Sequence, residues 1–222
     1  MTSTARWTIV GAMAVLTLGV TSVAQAQQAE TSFFITSVGS GKGGDLGGLA
    51  GADAYCQKLA SAAGSKRSWR AYLSTQGNEL TDKGVIHARD RIGNGPWYNA
   101  KGAMIAKNVD DLHSEHANIT KQSALTEKGE PVKGRGDQPN EHDILTGSDP
   151  SGRFSTAGGD TTCGNWTKSG EGSAIVGHAD RQGLKDTWHM KSWNSSHGSR
   201  GCSQDQLKAS GGAGLIYCFV PN

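Results

Sequence analysis

No apolar stretch of this chain is long enough to cross a bilayer as a helix. The longest runs from Trp7 to Val20, about 14 residues where roughly 20 are needed. An excess of one charge is lacking too: 22 Lys and Arg stand against 20 Asp and Glu, a net of +2. A general nucleic-acid binder carries a strong basic excess, so that class is excluded. No two cysteines form the close C-x-x-C pairs of structural zinc sites, and neither a G-x-S-x-G nor an H-E-x-x-H motif occurs. An enzymatic role therefore has no positive support, and a non-enzymatic protein is expected. Aromatic residues are scarce, at 6%, whereas glycine is abundant, at 32 residues. Such a chain loses much backbone entropy on folding, and cross-links would offset part of that loss.

The N-terminus has the layout of a cleaved signal peptide. Arg6 is the only charge in residues 1–26, the apolar run follows it, and Ala24-Gln25-Ala26 is a small-x-small cleavage pattern. Gln27-Gln28-Ala29-Glu30 is polar, and no cysteine at the cleavage point marks a lipoprotein. Removing 26 of the 222 residues leaves 196, suited to one domain, 27–222. The expected location is secreted or periplasmic, with no transmembrane segment in the mature chain. All four cysteines (Cys56, Cys163, Cys202, Cys218) lie in that part. An even count in an exported chain means disulfides, with three pairings open, each bridge worth roughly 3–5 kcal/mol.

Phe33–Val38 reads as a first strand, β-branched and aromatic, ended by glycines. Gly39–Gly44 fits G-x-G-x-x-G, but no βαβ series surrounds it and Gly43 replaces the Ser or Thr of a phosphate loop, so it is read as a turn. Ala50–Ala63 has helix composition and ends at Gly64; Trp69–Ser74 alternates like a strand. Residues 81–138 are polar, with a short apolar piece at 103–106, and 147–201 are Gly- and Ser-rich around Trp166, Trp188 and Trp193. Gly214–Val220 is a strong last strand. The fold class expected is α+β, with the ends of the chain paired.

Several blocks carry a resemblance. Gly51-Ala52-Asp53 with Cys56, running on to Arg70-Ala71-Tyr72-Leu73-Ser74, is similar to the G-A-D-x-x-C helix and R-A-F-L-S strand of the endostatin domain of collagens. Gly147-Ser148-Asp149-Pro150-Ser151-Gly152-Arg153 resembles that family's G-S-D-P-N-G-R, and Cys163-Gly164-Asn165-Trp166 and Tyr217-Cys218-Phe219 resemble its C-E-T-W and terminal L-C-I. Exported bacterial endostatin-like proteins look most similar. The resemblance implies a C-type-lectin-like fold with a long loop region and nested disulfides, Cys56 with Cys218 and Cys163 with Cys202. Residues 80–140 match poorly.

Several constellations are candidates for a site. Gln138-Pro139-Asn140, with Asn194 after Trp193, resembles the tripeptide and W-N-D by which sugar-binding C-type lectins hold calcium, and Glu141 adds an oxygen. Calcium is thus the one cofactor suggested, with Gln138, Asn140, Glu141 and Asn194 as ligands. Ser195 stands in place of the W-N-D aspartate. His113 and His116 in D-D-x-H-x-E-H lie three apart, a spacing that would let a helix share one metal between them. Arg135-Gly136-Asp137 is an R-G-D tripeptide. Arg70 and Arg153 match family arginines that engage sulfated glycans. Trp166 matches a family core position, which leaves Trp188 and Trp193 as stacking faces.

The expected function is recognition of carbohydrate, extracellular-matrix polymer or an envelope component through the loop region, with Arg153, Trp188, Trp193, Asn194 and Asp149 as ligand-binding residues. A structural envelope domain and an exported hydrolase are the alternatives.

Overall fold

The computed structural model describes Met1, residues 31–78 and residues 82–222. The expected signal peptide beyond Met1 and its cleavage site lie outside the described residues. Among these residues, no helix is long and apolar enough to cross a membrane.

The chain folds as a mixed α+β domain around its last strand. The first strand, β1 (Phe33–Ile35), pairs antiparallel with the last, β8 (Gly212–Phe219), matching Phe33 to Phe219 and Ile35 to Tyr217. β2 (Arg70–Ala71) pairs with β8 at Phe219 and Cys218, and β5 (Asp143–Leu145) runs parallel to it. The sheet continues through β6 (Ile175–His178) to β7 (His197–Gly198), in the order β1-β8-β5-β6-β7. β1 is shorter than the sequence predicts: Thr36 N–H still reaches the Ile216 carbonyl of β8, but Ile216 N–H returns to the Thr36 hydroxyl rather than to its carbonyl. β2 is shorter as well: Tyr72 N–H still reaches the Tyr217 carbonyl, but Ser74 N–H turns to Thr146.

Side chains alternate across a strand, and β8 uses both faces. Leu215, Tyr217 and Phe219 join Phe33, Ile35, Tyr72, Trp97 and Trp193 in one apolar cluster. Ile216 and Cys218 join Phe34, Leu73 and Trp166 in the other. A strand buried on both faces reads as a continuous apolar run, which is why it stands out in the sequence. Fully burying each such side chain stabilises by roughly 1.5–3 kcal/mol.

On the second face lies the helix α1 (Gly48–Ala62), which buries Ala52, Cys56 and Ala60, one every four residues. Asp53 explains the G-A-D block. One of its oxygens accepts the Ala71 N–H at 2.9 Å, and the Arg91 guanidinium grips both at 2.8 and 2.7 Å. The Asp149 carboxylate likewise closes its own turn, accepting from Ser151 Oγ and the Arg153 N–H. The poorly matching segment forms a hairpin of β3 (Trp97–Tyr98) and β4 (Met104–Ala106), then a single helical turn, α2 (Val109–Leu112), capped by Asn108. Its apolar residues Trp97, Ile105 and Leu112 close the first cluster.

The bridges pair Cys56 with Cys218 and Cys163 with Cys202, spanning 162 and 39 residues. The first ties α1 to β8; the second pins the loop region. The Gly39–Gly44 turn packs on the second bridge, with Gly44 N–H on the Cys202 carbonyl. Gly43 is left-handed (φ 61°), and a Cβ there would overlap that carbonyl. Replacing Cys163 and Cys202 together by serine is expected to lower the unfolding free energy by about 4 kcal/mol, and Cys56 with Cys218 by about 5 kcal/mol. Urea titration checks this; unchanged midpoints would contradict it.

Candidate functional site

The loop region opens onto a cavity of about 540 Å³. Its floor is a buried polar network. Trp193 donates from Nε1 to the Leu112 carbonyl at 3.0 Å, and its ring lies 4.9 Å from that of Tyr72. Tyr72 Oη meets His113 Nε2 at 2.7 Å, while His113 Nδ1 lies 2.6 Å from the Val109 carbonyl. That carbonyl requires the proton on Nδ1, so Nε2 accepts from the phenol. Asn194 Nδ2 donates to Tyr72 Oη and to the Asp149 carbonyl, both at 3.0 Å. Burial lowers the His113 pKa to about 4 and pushes the Tyr72 phenol up. Both groups are neutral across the physiological range.

Trp188, Trp193 and Asn194 line this cavity together, with Arg181, Lys191 and Glu115. Their roles differ. Trp193 is 3% exposed and belongs to the core, whereas Trp188 is 62% exposed and stacks on His189 at 3.5 Å between ring centroids. Only Trp188 offers a stacking face. Asp149 contributes its carbonyl to the floor, and Arg153 is exposed outside the lining. Arg181, which sequence reasoning missed, has a left-handed backbone (φ 53°). It donates from Nη1 to the Glu115 carbonyl at 3.3 Å, and its buried Nε has no partner. Glu115 lines the same cavity and its charge acts on Arg181 without a close ion pair, and Lys191 pairs with Asp186.

The calcium candidates are not brought together. The Gln138–Pro139 bond is cis and Gln138 is exposed. Asn140 lines a second cavity, of about 250 Å³, while Asn194 lines the first. Asn194 Oδ1 already accepts from Ser192 Oγ, so its amide is spent on the fold. His113 and His116 do not share a metal either. α2 ends at Leu112, and both His113 nitrogens are engaged. Arg135 of the R-G-D is exposed at the second cavity, and Asp137 pairs with Lys121 at 2.8 Å.

The second cavity exposes a cluster that no motif signalled. β5–β6 register sets Asp143 opposite His178, and β6–β7 register sets His197 opposite Val176, two residues from His178 on the same face. His142 precedes β5 and stacks on His178 at 4.2 Å. The Asp143 carboxylate is 1% exposed, with His142 and His178 Nε2 each 3.3 Å from Oδ1 and His197 Nε2 3.5 Å from Oδ2. Neither oxygen accepts a hydrogen bond of good geometry. Burial alone would raise the Asp143 pKa, but the facing His178 and His197 outweigh it and hold the carboxyl low. The carboxylate in turn raises the His197 pKa. The stability that pair contributes is complete below the ordinary imidazole pKa and is lost as pH rises through the raised value. His142, Asp143 and His178 present ligand atoms within 4.8 Å of one another, a spacing fit for a metal ion.

His113 acts in the opposite sense to His197. The unfolded imidazole takes its proton near 6.5 and the folded one only near 4, so stability falls as pH drops between those values, by at most about 3 kcal/mol. Urea unfolding at pH 7 and 4.5 should show a shallower loss for His113→Gln than for the parent; equal slopes would refute this. No protein-family model matches the chain, and no curated protein matches it.

Proposed function

We propose that this protein is an exported, non-enzymatic binding module of C-type-lectin-like architecture that recognises an acidic carbohydrate polymer through its loop region. The observation that carries the reading is the exposed Trp188 indole on the same cavity wall as Arg181, a guanidinium whose buried Nε has no hydrogen-bond partner. A flat aromatic face suits the apolar side of a sugar ring, and a guanidinium fork suits a carboxylate or sulfate. A cavity of about 540 Å³ has room for two or three sugar units. The nested bridges, the paired chain ends and the long loop region support the architecture. The two disulfides fit an oxidising compartment.

An array of acidic and neutral polysaccharides, probed with the oxidised domain, tests the function. Trp188→Ala and Arg181→Gln should each weaken binding to the acidic polymers about 10-fold or more, while Arg153→Gln, outside the cavity, changes it little. Silence across the array would move the reading to a structural envelope domain.

A further inference from the structure

We propose that His142, Asp143, His178 and His197 form a binding site for a divalent transition-metal ion, with zinc the best fit. This site is separate from the cavity at Trp188 and does not depend on the carbohydrate reading.

The spacing of the ligand atoms is the first ground. Zinc bonds nitrogen and carboxylate oxygen at about 2.0–2.2 Å, which sets tetrahedral ligand atoms about 3.3–3.5 Å apart. The observed separations are 3.3 Å from Asp143 Oδ1 to Nε2 of both His142 and His178, and 3.0 Å between Nε2 of His178 and His197. The ligand atoms of His142, Asp143 and His178 lie within 4.8 Å of one another; His197 Nε2 falls outside that group, 3.5 Å from Asp143 Oδ2, and is the fourth, solvent-side ligand.

The second ground is the direction of the lone pairs. Each imidazole commits its other nitrogen to an acceptor. His142 Nδ1 meets Asp180 Oδ1 at 2.8 Å, His178 Nδ1 the Met190 carbonyl at 2.8 Å, and His197 Nδ1 the Gly198 carbonyl at 3.1 Å. Those contacts place a proton on each Nδ1, so in the neutral rings every Nε2 turns a bare lone pair toward Asp143. Metal-bound histidines are oriented in this way. The support is itself held, because Asp180 accepts the N–H groups of Arg135 at 2.6 Å and Gln182 at 3.0 Å. Ser196 Oγ, 3.2 Å from His178 Nε2, is the remaining polar neighbour of that ring.

The third ground is what the protein leaves unsatisfied. A carboxylate out of water needs strong donors or a cation, and Asp143 accepts no well-formed hydrogen bond while three imidazoles face it. Two inward lone pairs 3.0 Å apart on His178 and His197 repel unless a cation or proton lies between them. One divalent ion answers both demands. Three imidazoles and one carboxylate select zinc, copper or nickel over calcium, which takes six to eight oxygens. His197, 31% exposed, is the ligand on the solvent side, and the cavity of about 250 Å³ that reaches His142, His178 and His197 is the entry path.

The test is isothermal titration of chelator-stripped protein with zinc ion, beside a cobalt-substituted sample read for the intense visible bands of a tetrahedral centre. One equivalent should bind, and saturating zinc should raise the melting temperature by roughly 5 °C or more over chelator. Asp143→Asn and His178→Gln should each cut affinity about 100-fold or more, and His197→Gln about 10-fold or more. His116→Ala, on the exposed surface away from the cluster, should leave it unchanged. His197 lies at the sheet edge, so its variant keeps the test decisive if the buried replacements fail to fold. Failure of the parent to take up zinc, or equal affinity in His197→Gln and His116→Ala, would overturn the site.

Discussion

The pairing of β8 with β1, β2 and β5 is the constraint on which the rest of the structure depends. One strand of eight residues supplies both apolar clusters, the cysteine that anchors α1, and the ladder positions of three other strands. Its partners are short, between two and three residues each, and strands of that length have little stability alone. They are held because alternate β8 side chains bury them from above and below. The disulfides then act on what the sheet does not reach: the chain entropy of the loops between the paired ends.

That arrangement decides where polar groups can be buried. At Tyr72, His113 and Asn194 the donors and acceptors match, and three neutral groups sit in the core with their hydrogen bonds made. A satisfied network of this kind rigidifies a core. At Asp143 the match fails, because three imidazoles face a carboxylate and all three have their Nδ1 proton directed elsewhere. The two sites look alike in composition and differ in saturation. Saturation separates a structural histidine from a ligand, and neither burial nor charge alone makes that distinction.

Saturation also explains what the sequence could disclose. The first and last strands, the helix and the cysteine parity were legible because each rests on a local signal: period, composition or count. The His–Asp cluster was not legible. His142, His178 and His197 lie 36 and 19 residues apart with no repeating spacing, and only the register of β5, β6 and β7 brings them together. Trp193 misled for the opposite reason. Its Gly- and Ser-rich context reads as surface, yet the chain folds its indole over Tyr72 and Tyr217. Gly177 permits this, since a Cβ there would overlap the Trp193 carbonyl. Local composition cannot show which loop residue turns inward when the cause is a glycine on a neighbouring strand.

The two cavities share a wall, and this links them physically. Residues 181–191 contribute Gly183, Leu184 and Met190 to the cavity at His178, and Arg181, Trp188 and Lys191 to the other. The segment has little regular structure, only the short 3-10 turn His189–Lys191. Its conformation is therefore set by the few contacts at its ends. One is the Met190 carbonyl on His178 Nδ1, and another is Arg181 N–H on the His178 carbonyl. The His178 ring thus holds the segment at Met190, and the His178 backbone holds it at Arg181. A ligand on His178 Nε2 strengthens the opposite Nδ1–H as a donor, and the Met190 carbonyl receives that bond two residues from the exposed indole. The wall that carries Trp188 is in this way tied at Met190 to the His–Asp cluster, through one imidazole rather than through the sheet.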